Sequence, residues 1–370
     1  MKPRVARIVS YLPVGGVEKR LLAVLKRLKD EFDVEVICIH SRGKLAPLFE
    51  EAGIPVTVVP FKGRLHPVSL YRLATYLRKR GTDIVHTHMY RSNISGTLAA
   101  RLAKVPVVIS NVHNVDHWDT PRQVFMDRLF HTLRDRIIAV SHAVRNDILK
   151  KSKAPPEKTV VIYNGINMED FSPKEEDIFW LRRSLKLPRE AFVVSLIARL
   201  VPAKSHKNLF KAVSHIEKIS KNILALIVGG GGYRSELEKV AKELGLERVW
   251  FLGERSDVPL LLKITNLSVL PSSKEGFSNV ILESMAAGTP VVASEVGGAR
   301  EAIEPFHTGV LVKYGDVESL QAVILGLLGS PRNRISIKTK ARKMVEKRFS
   351  IEEMAAQTKR LYLDLLGKAR

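Results

Sequence analysis

The stretch from Glu275 to Glu301 reads EGFSNVILESMAAGTPVVASEVGGARE. A Gly-Phe-Ser-Asn turn leads into a helix of small and apolar residues, NVILESMAAG, which ends at Gly288 ahead of Thr289-Pro290. The run Val291-Val292-Ala293-Ser294 then reads as a buried strand. Helix, stop and buried strand in this order are the parts of a parallel sheet covered by helices. Glu275 and Glu283 stand eight residues apart. The first turn of a helix carries backbone N–H groups with no intrahelical partner, so it attracts anions. One carboxylate just before the helix and another about two turns in could both face a ligand rich in hydroxyls and phosphate.

The same alternation runs outward through the chain. In the first half, strands are expected at 4–12, 33–40, 55–60, 84–88, 107–111 and 136–140, with a short one at 160–163. Helices are expected at 16–29, 69–80, 94–103 and 122–133, and Ser141 reads as the N-cap of a helix through residue 150. A Lys- and Pro-rich break at 150–158 and a loop at 164–173 separate the halves. The second half predicts strands at 192–198, 223–228, 249–252, 267–270, 290–294 and 310–312. Its helices are placed at 208–218, 234–244, 258–264, 280–287 and 299–303, and a last helix at 351–366. Two α/β domains joined near residue 170 account for this pattern.

Size and composition agree. At 370 residues the chain fits two domains of ordinary size. It is 45% hydrophobic with a mean hydropathy of -0.01, as expected of a globular chain. No apolar run is long enough to span a bilayer, and the N-terminus reads as a first strand and not as a signal peptide. The single Cys38 permits no internal disulfide and no cysteine metal cluster, and a reducing cytoplasm is the expected compartment. The net charge of +22 is spread over both halves. Such a field attracts polyanions, anionic lipid, diphosphates and acidic glycan carriers alike, and lysine-rich surfaces also accompany heat stability.

Around Glu275 and Glu283, the companions Gly276, Asn279, Gly288-Thr289-Pro290 and Gly297-Gly298 stand in a pattern. It resembles the Glu-x7-Glu signature of retaining GT-B glycosyltransferases of family four. The resemblance covers nearly the whole chain and is sharpest from Arg199 to Glu301. It implies an α/β fold of GT-B type, two facing Rossmann-like domains with the ligand in the cleft between them. Residues 1–170 would form the N-terminal acceptor domain and 171–350 the nucleotide-sugar donor domain. Residues 351–370 would form a helix crossing back to the N-terminal domain. Glu275 would hold hydroxyls of the donor sugar and Glu283 those of the ribose. The turn Gly276, Phe277, Ser278 and Asn279 would offer backbone N–H groups to the diphosphate.

Further residues extend this reading. Gly15 and Gly16 follow the first strand, where glycines allow a tight turn and close backbone approach. The resemblance places the N-terminal glycine loop of the family there. Arg199 and Lys204 lie just past a strand end, where open α/β sheets bind ligands, and would neutralise charge on a departing diphosphate. Ser205 stands where the family pattern favours glycine or asparagine. His113 matches a family histidine that contacts the donor sugar and the reaction centre. The all-glycine run 229–232 resembles the family's Gly-x-Gly loop, and residues 252–258 would face the nucleotide base. Metal is not expected. The trio His113, Asp116 and His117 lacks a fourth ligand, no strict Asp-x-Asp occurs, and His86 and His88 are read as pointing to opposite faces of one strand. The stretch 122–135 sets Phe125, Met126, Leu129, Phe130 and Leu133 largely on one side with Arg122, Arg128 and Arg134 nearby. A basic amphipathic helix of this kind either lies on an anionic membrane or packs on its own domain.

The resemblance therefore implies a retaining, metal-independent glycosyltransferase without a cofactor. Its partners would be a nucleotide sugar and a glycan, lipid-linked or small-molecule acceptor, in cell-envelope polysaccharide or glycolipid synthesis. It would work in the cytoplasm or on the inner face of the membrane. Retention in the family is described as front-face attack in which the departing phosphate helps deprotonate the acceptor, so no protein nucleophile is expected. Two other classes fit the same sequence: a sugar-nucleotide 2-epimerase of the same architecture, and a polyanion-binding protein motivated by charge alone. Nucleic acid is not an expected partner, because no aromatic stacking surface or known module accompanies the charge. The base, UDP, GDP or ADP, is not readable.

Overall fold

The computed structural model describes all residues except 64, 116, 117, 119 and 370. The chain divides into two compact units, Met1–Gly165 together with Ile351–Arg370, and Ile166–Ser350.

In the first unit the chain runs β1 (Arg4–Val9), α1 (Gly16–Leu28), β2 (Asp33–Cys38), α2 (Ala46–Glu51), β3 (Val56–Val58), α3 (Pro67–Arg80) and β4 (Ile84–His88). It continues through α4 (Met89–Leu102), β5 (Val107–Val112), α5 (Pro121–Phe130), β6 (Arg136–Ala139), α6 (His142–Lys151) and β7 (Thr159–Val161). The strands form one parallel sheet in the order β3-β2-β1-β4-β5-β6-β7. Both faces are covered, so the strands are largely apolar and not alternating, with a few buried polar side chains such as Arg7, His86 and His88. Val5, Val9, Ile84 and Ile109 turn to one core, and Ala6, Ile8, Val85 and Val108 to the other. The sheet order reverses between β1 and β4, which opens a crevice at the strand ends there.

The second unit runs α7 (Glu175–Ser184), β8 (Phe192–Ile197), α8 (His206–Ile219), β9 (Ile223–Val228), α9 (Arg234–Glu243), β10 (Val249–Gly253), α10 (Val258–Lys263) and β11 (Leu267–Leu270). It closes with α11 (Asn279–Ala287), β12 (Val291–Ser294), α12 (Ala299–Ala302), β13 (Val310–Val312), α13 (Val317–Gly329) and α14 (Pro331–Arg348). Its parallel sheet has the order β10-β9-β8-β11-β12-β13, with the switch point between β8 and β11. Two parallel-sheet Rossmann-like halves are the halves of a GT-B fold.

The last helix, α15 (Ile351–Ala369), belongs to the first unit. Ile351, Ala355, Tyr362, Leu365 and Leu366 enter the core that α1 covers. Lys359 pairs with Glu31 at 2.7 Å, and Arg27 Nε donates to Glu352 at 2.9 Å.

Several elements differ from the sequence reading. α4 begins at Met89, not at 94, because Met89 turns the chain at φ +69 directly after β4. Such a conformation costs a side-chain-bearing residue about 1–2 kcal/mol. Helices α2, α7, α13 and α14 are additions to the expected set; half of the residues of α14 are charged, and it buries only Ile337, Ala341, Met344 and Val345. No helix is long and apolar enough to cross a membrane among the described residues.

Candidate functional site

In the second unit, the loops after β8 and β11 meet at the switch point. Lys204 ends a short 3-10 turn, Pro202–Lys204. Its Nζ lies 2.6 Å from Glu275 Oε1, and the two side chains are 21% and 10% exposed. A second stitch joins the same loops: Ser273 N–H and Oγ both donate to the Ala203 carbonyl, at 2.9 and 3.2 Å. Ser205 takes φ +50 and ψ 41, the left-handed region. That conformation favours glycine or asparagine, which is the physical sense of the sequence departure at this position.

Arg199 is exposed on the loop between Ala198 and Leu200. The glycine run sets this loop's course. A Cβ on Gly229 would stand 2.0 Å from the Ala198 carbonyl oxygen, and one on Gly231 would stand 2.4 Å from that of Leu200. Leu200 N–H donates to the Gly230 carbonyl at 2.8 Å. The glycines therefore serve backbone-on-backbone packing that holds Arg199 in place.

The 275–279 turn is built from its buried side. Phe277 is 4% exposed and packs at 5.3 Å, tilted by 57°, on Phe349. Its ring is core, so the side chain is not presented to a ligand. Ser278 precedes α11 and makes no side-chain cap bond. The helix starts at Asn279, so Glu283 sits about one turn in and not two. Asn279, Val280 and Glu283 form the half-exposed stripe of a helix otherwise buried through Ile281, Leu282, Ser284 and Met285. Ser284 Oγ donates to the Val280 carbonyl at 2.7 Å and shares a hydrogen bond with the Ser268 hydroxyl at 2.9 Å, fixing α11 to β11.

One supporting residue has no separate role in the sequence reading. Gly297, at φ +52, lies so close to the turn that a Cβ there would stand 1.7 Å from the Glu275 carbonyl oxygen. Gly298 N–H donates to the Gly276 carbonyl at 3.0 Å. The Gly297-Gly298 turn is the floor beneath Glu275.

In the first unit, Gly15 is extended, at φ -147 and ψ 162. A Cβ there would stand 2.5 Å from Glu18 Oε2, the far end of a side chain that can swing aside, so this contact alone does not demand glycine. Burial raises the Glu18 carboxyl above its ordinary range. Gly16 opens α1, and its carbonyl accepts from Arg20 Nη2 at 3.4 Å.

His113 follows β5 and is 8% exposed. It closes a buried polar file. His88 Nδ1 lies 3.2 Å from His113 Nε2, and Arg7 Nη1 lies 3.0 Å from His88 Nε2 and 2.7 Å from His86 Nδ1. Tyr362 of α15 places its hydroxyl 2.8 Å from His86 Nδ1. The His86 and His88 rings stack at 4.7 Å and 10°. They share one face of β4, contrary to the sequence reading, because side chains two residues apart on a strand point the same way. Burial first, and Arg7 second, push both imidazoles well below their usual range and hold them neutral. Burial pushes the Tyr362 phenol up to about 12 despite the opposing pull of Arg7.

Asp116 and His117 of the weighed trio lie outside the described residues. The expected stripe on α5 divides. Phe125 and Leu129 are exposed, 59% and 52%, whereas Phe130 is buried. Arg122 and Arg128 are exposed. Arg134 is not part of that surface: it is fully buried and paired with Asp127 at 2.7 Å.

Comparison with known proteins is consistent across the chain. Residues 14–170 match the family described as Glycosyltransferase Family 4, and residues 177–344 match Glycosyl transferases group 1. The chain is 28% identical to an Escherichia coli UDP-Gal:alpha-D-GlcNAc-diphosphoundecaprenol alpha-1,3-galactosyltransferase, covering 99% of this chain and 98% of the relative. It is 27% identical to a D-inositol 3-phosphate glycosyltransferase of Thermobispora bispora, covering 96% and 91%. The crystal structure of Anabaena HepE with UDP and glucose aligns at a TM-score of 0.89 and 25% identity, covering 98% and 100%.

Proposed function

The chain belongs to the glycosyltransferases of family four, the group 1 type, and on that premise we propose that it transfers a sugar, with retention, from a nucleoside diphosphate sugar to a glycan, lipid-linked or small-molecule acceptor. The observation that carries this reading is the Lys204–Glu275 pair, 2.6 Å apart beside the start of α11. A diphosphate arriving at that helix start competes for Lys204, and Glu275 is then released toward the sugar hydroxyls. Arg199 adds a second cation from the adjoining loop. Glu283, on the half-exposed stripe of α11, takes the ribose hydroxyls.

In the reaction, positive charge builds on the sugar as the glycosidic bond breaks, and negative charge builds on the leaving diphosphate. Arg199, Lys204 and the backbone N–H groups of Gly276 to Asn279 stabilise the leaving group. The departing phosphate accepts the proton of the attacking hydroxyl, so no carboxylate nucleophile is needed. These cations do the work a divalent metal would otherwise do, and the reading is of a metal-independent enzyme. UDP is the first nucleotide to try, because the Anabaena structure holds UDP and the Escherichia coli relative takes UDP-Gal by name.

Peripheral membrane contact belongs to the same proposal. The exposed Phe125 and Leu129 stand beside the exposed Arg122 and Arg128 on α5. Apolar side chains flanked by arginine suit the interface of an anionic bilayer. A lipid-linked acceptor in cell-envelope synthesis, on the cytoplasmic side, would be met there.

Calorimetric titration with UDP, GDP and ADP in the presence of EDTA tests the reading. One nucleotide is expected to bind, and Glu283→Ala to weaken it about 10-fold or more, the scale of a lost charge-assisted hydrogen bond. Binding that appears only when a divalent metal is restored would remove metal independence. No binding by any of the three, with or without metal, would remove the donor site.

A further inference from the structure

The buried file that ends at His113 has a chemical direction. Arginine donates hydrogen bonds and cannot accept them. Arg7 Nη1 carries two hydrogens and faces His86 Nδ1 at 2.7 Å and His88 Nε2 at 3.0 Å, with the Tyr362 hydroxyl a further hydrogen-bond partner of the guanidinium. Both of those ring nitrogens must therefore be acceptors. A neutral imidazole that accepts at one nitrogen carries its hydrogen on the other. His88 then bears hydrogen on Nδ1, the atom 3.2 Å from His113 Nε2. His113 Nε2 accepts, and its own hydrogen is on Nδ1.

We propose that Arg7, acting through His88, fixes the tautomer of His113 with hydrogen on Nδ1 and the lone pair on Nε2, so that Nε2 is engaged within the file and does not serve a ligand as a proton acceptor. Arg7 and His88 are positioning residues, and the functional consequence rests on the reading of His113 as a contact of the donor sugar. The direction of the relay does not rest on that reading.

The surroundings favour the arrangement. Arg7, His86, His88 and His113 are 3%, 2%, 5% and 8% exposed. A proton added to His86 or His88 would be opposed by burial and by the Arg7 guanidinium. Among the described residues, the charged and titratable groups that bear on His86 and His88 are Arg7 of β1, Arg20 of α1, Tyr362 of α15 and His113 itself. Two are arginines, Tyr362 is protonated, and none is a carboxylate that could draw a proton into the file. Tyr362 lies under the Arg7 guanidinium, 5.6 Å from ring centroid to Cζ, and is completely buried, so α15 holds the origin of the relay still.

The test is a long-range proton–nitrogen correlation on the full chain labelled with 15N-histidine at pH 8, with His113 assigned by His113→Gln. The wild-type ring is expected to show hydrogen on Nδ1 and a lone pair on Nε2. His88→Phe removes the donor and is expected to release His113 into a mixture of both tautomers. His88→Asn keeps an amide donor near the former Nδ1 position and is expected to restore the single tautomer. Variants of Arg7 leave polar groups buried without a donor and endanger folding, so the His88 pair carries the test. A wild-type His113 with hydrogen on Nε2, or one unchanged by His88→Phe, would overturn the proposal.

Hydrolysis of UDP-glucose and UDP-galactose supplies the functional arm. His88→Phe should lower kcat about 100-fold, the scale for one lost preorganised donor, with KM changed far less and with recovery in His88→Asn. If the tautomer is as described but His113→Ala hydrolyses both sugars normally, the relay stands and the donor-sugar role of His113 falls.

Discussion

Replacing Gly297 by alanine should damage the site without replacing any residue proposed to meet the ligand. At φ +52 an alanine pays the left-handed penalty, about 1 kcal/mol. Its Cβ would also stand 1.7 Å from the Glu275 carbonyl oxygen and 2.7 Å from its carbon. The two backbone segments must part by about 1.3 Å to reach even a tight contact. Overpacking of that kind costs about 1–3 kcal/mol more. Gly288 is the internal control: its φ is +73, and nothing lies within 4 Å of the methyl group that alanine would add, so Gly288→Ala incurs the backbone penalty alone. A unit of this size loses about 2–4 °C in Tm per kcal/mol. Calorimetric melting should therefore show Gly288→Ala down by about 3 °C and Gly297→Ala by about 10 °C. Turnover of the nucleotide sugar separates them further. A displacement of about 1 Å in a positioned group costs about 100-fold, so Gly297→Ala should lose activity on that scale while Gly288→Ala keeps most of it. Equal melting points and equal rates for the two variants would refute the account of Gly297 as the floor of Glu275.

The other predictions are simpler. Ser205→Gly relieves a left-handed serine and should raise Tm by about 2–4 °C, that is by about 1 kcal/mol; a lower Tm would show that the serine hydroxyl matters more than the backbone. His206 is 1% exposed, and burial first, with Lys204 second, brings its imidazole down to about 4. Between that value and the ordinary 6.5 the unfolded chain binds a proton that the folded chain refuses, so stability is full above 6.5 and falls as pH drops toward 4. His206→Leu should flatten denaturant-measured stability across that window by about 3 kcal/mol, and an unchanged slope would assign the loss to other groups. Phe125→Asp with Leu129→Asp should abolish sedimentation with vesicles of anionic phospholipid while leaving hydrolysis of soluble nucleotide sugar intact; unchanged sedimentation would move membrane contact off α5.

The sequence is most legible where the chemistry is local. The turn, α11, its Gly288 stop and β12 lie within one stretch, and each has a residue signal of its own. Both parallel sheets are readable too, because strands buried on both faces are continuous apolar runs. α14 is not, since every second residue on average of its sequence PRNRISIKTKARKMVEKR is charged and it buries few side chains. The start of α4 is hidden because nothing in Met89-Tyr90-Arg91-Ser92-Asn93 advertises a left-handed first residue. The polar file is illegible for a different reason. Arg7 and Tyr362 are 355 positions apart, and an arginine inside the strand RVARIV reads as an interruption until its partners are in view. The His86 and His88 pair is misread by one step of the strand alternation, which turns neighbours into strangers.

The place of α15 bears on how the protein is made. The first unit needs Tyr362, Leu365 and Leu366 to finish its core, yet the 185 residues of Ile166–Ser350 leave the ribosome first. At about 5–20 residues per second that wait lasts about 10–40 s. Through it, Arg7, His86 and the apolar flank of α1 stand uncovered in a nascent chain whose second unit is free to fold ahead of them. A shortened N-terminal fragment ending at Gly165 would be frozen at that stage, and a chaperone's best opportunity to bind this protein falls in the same interval.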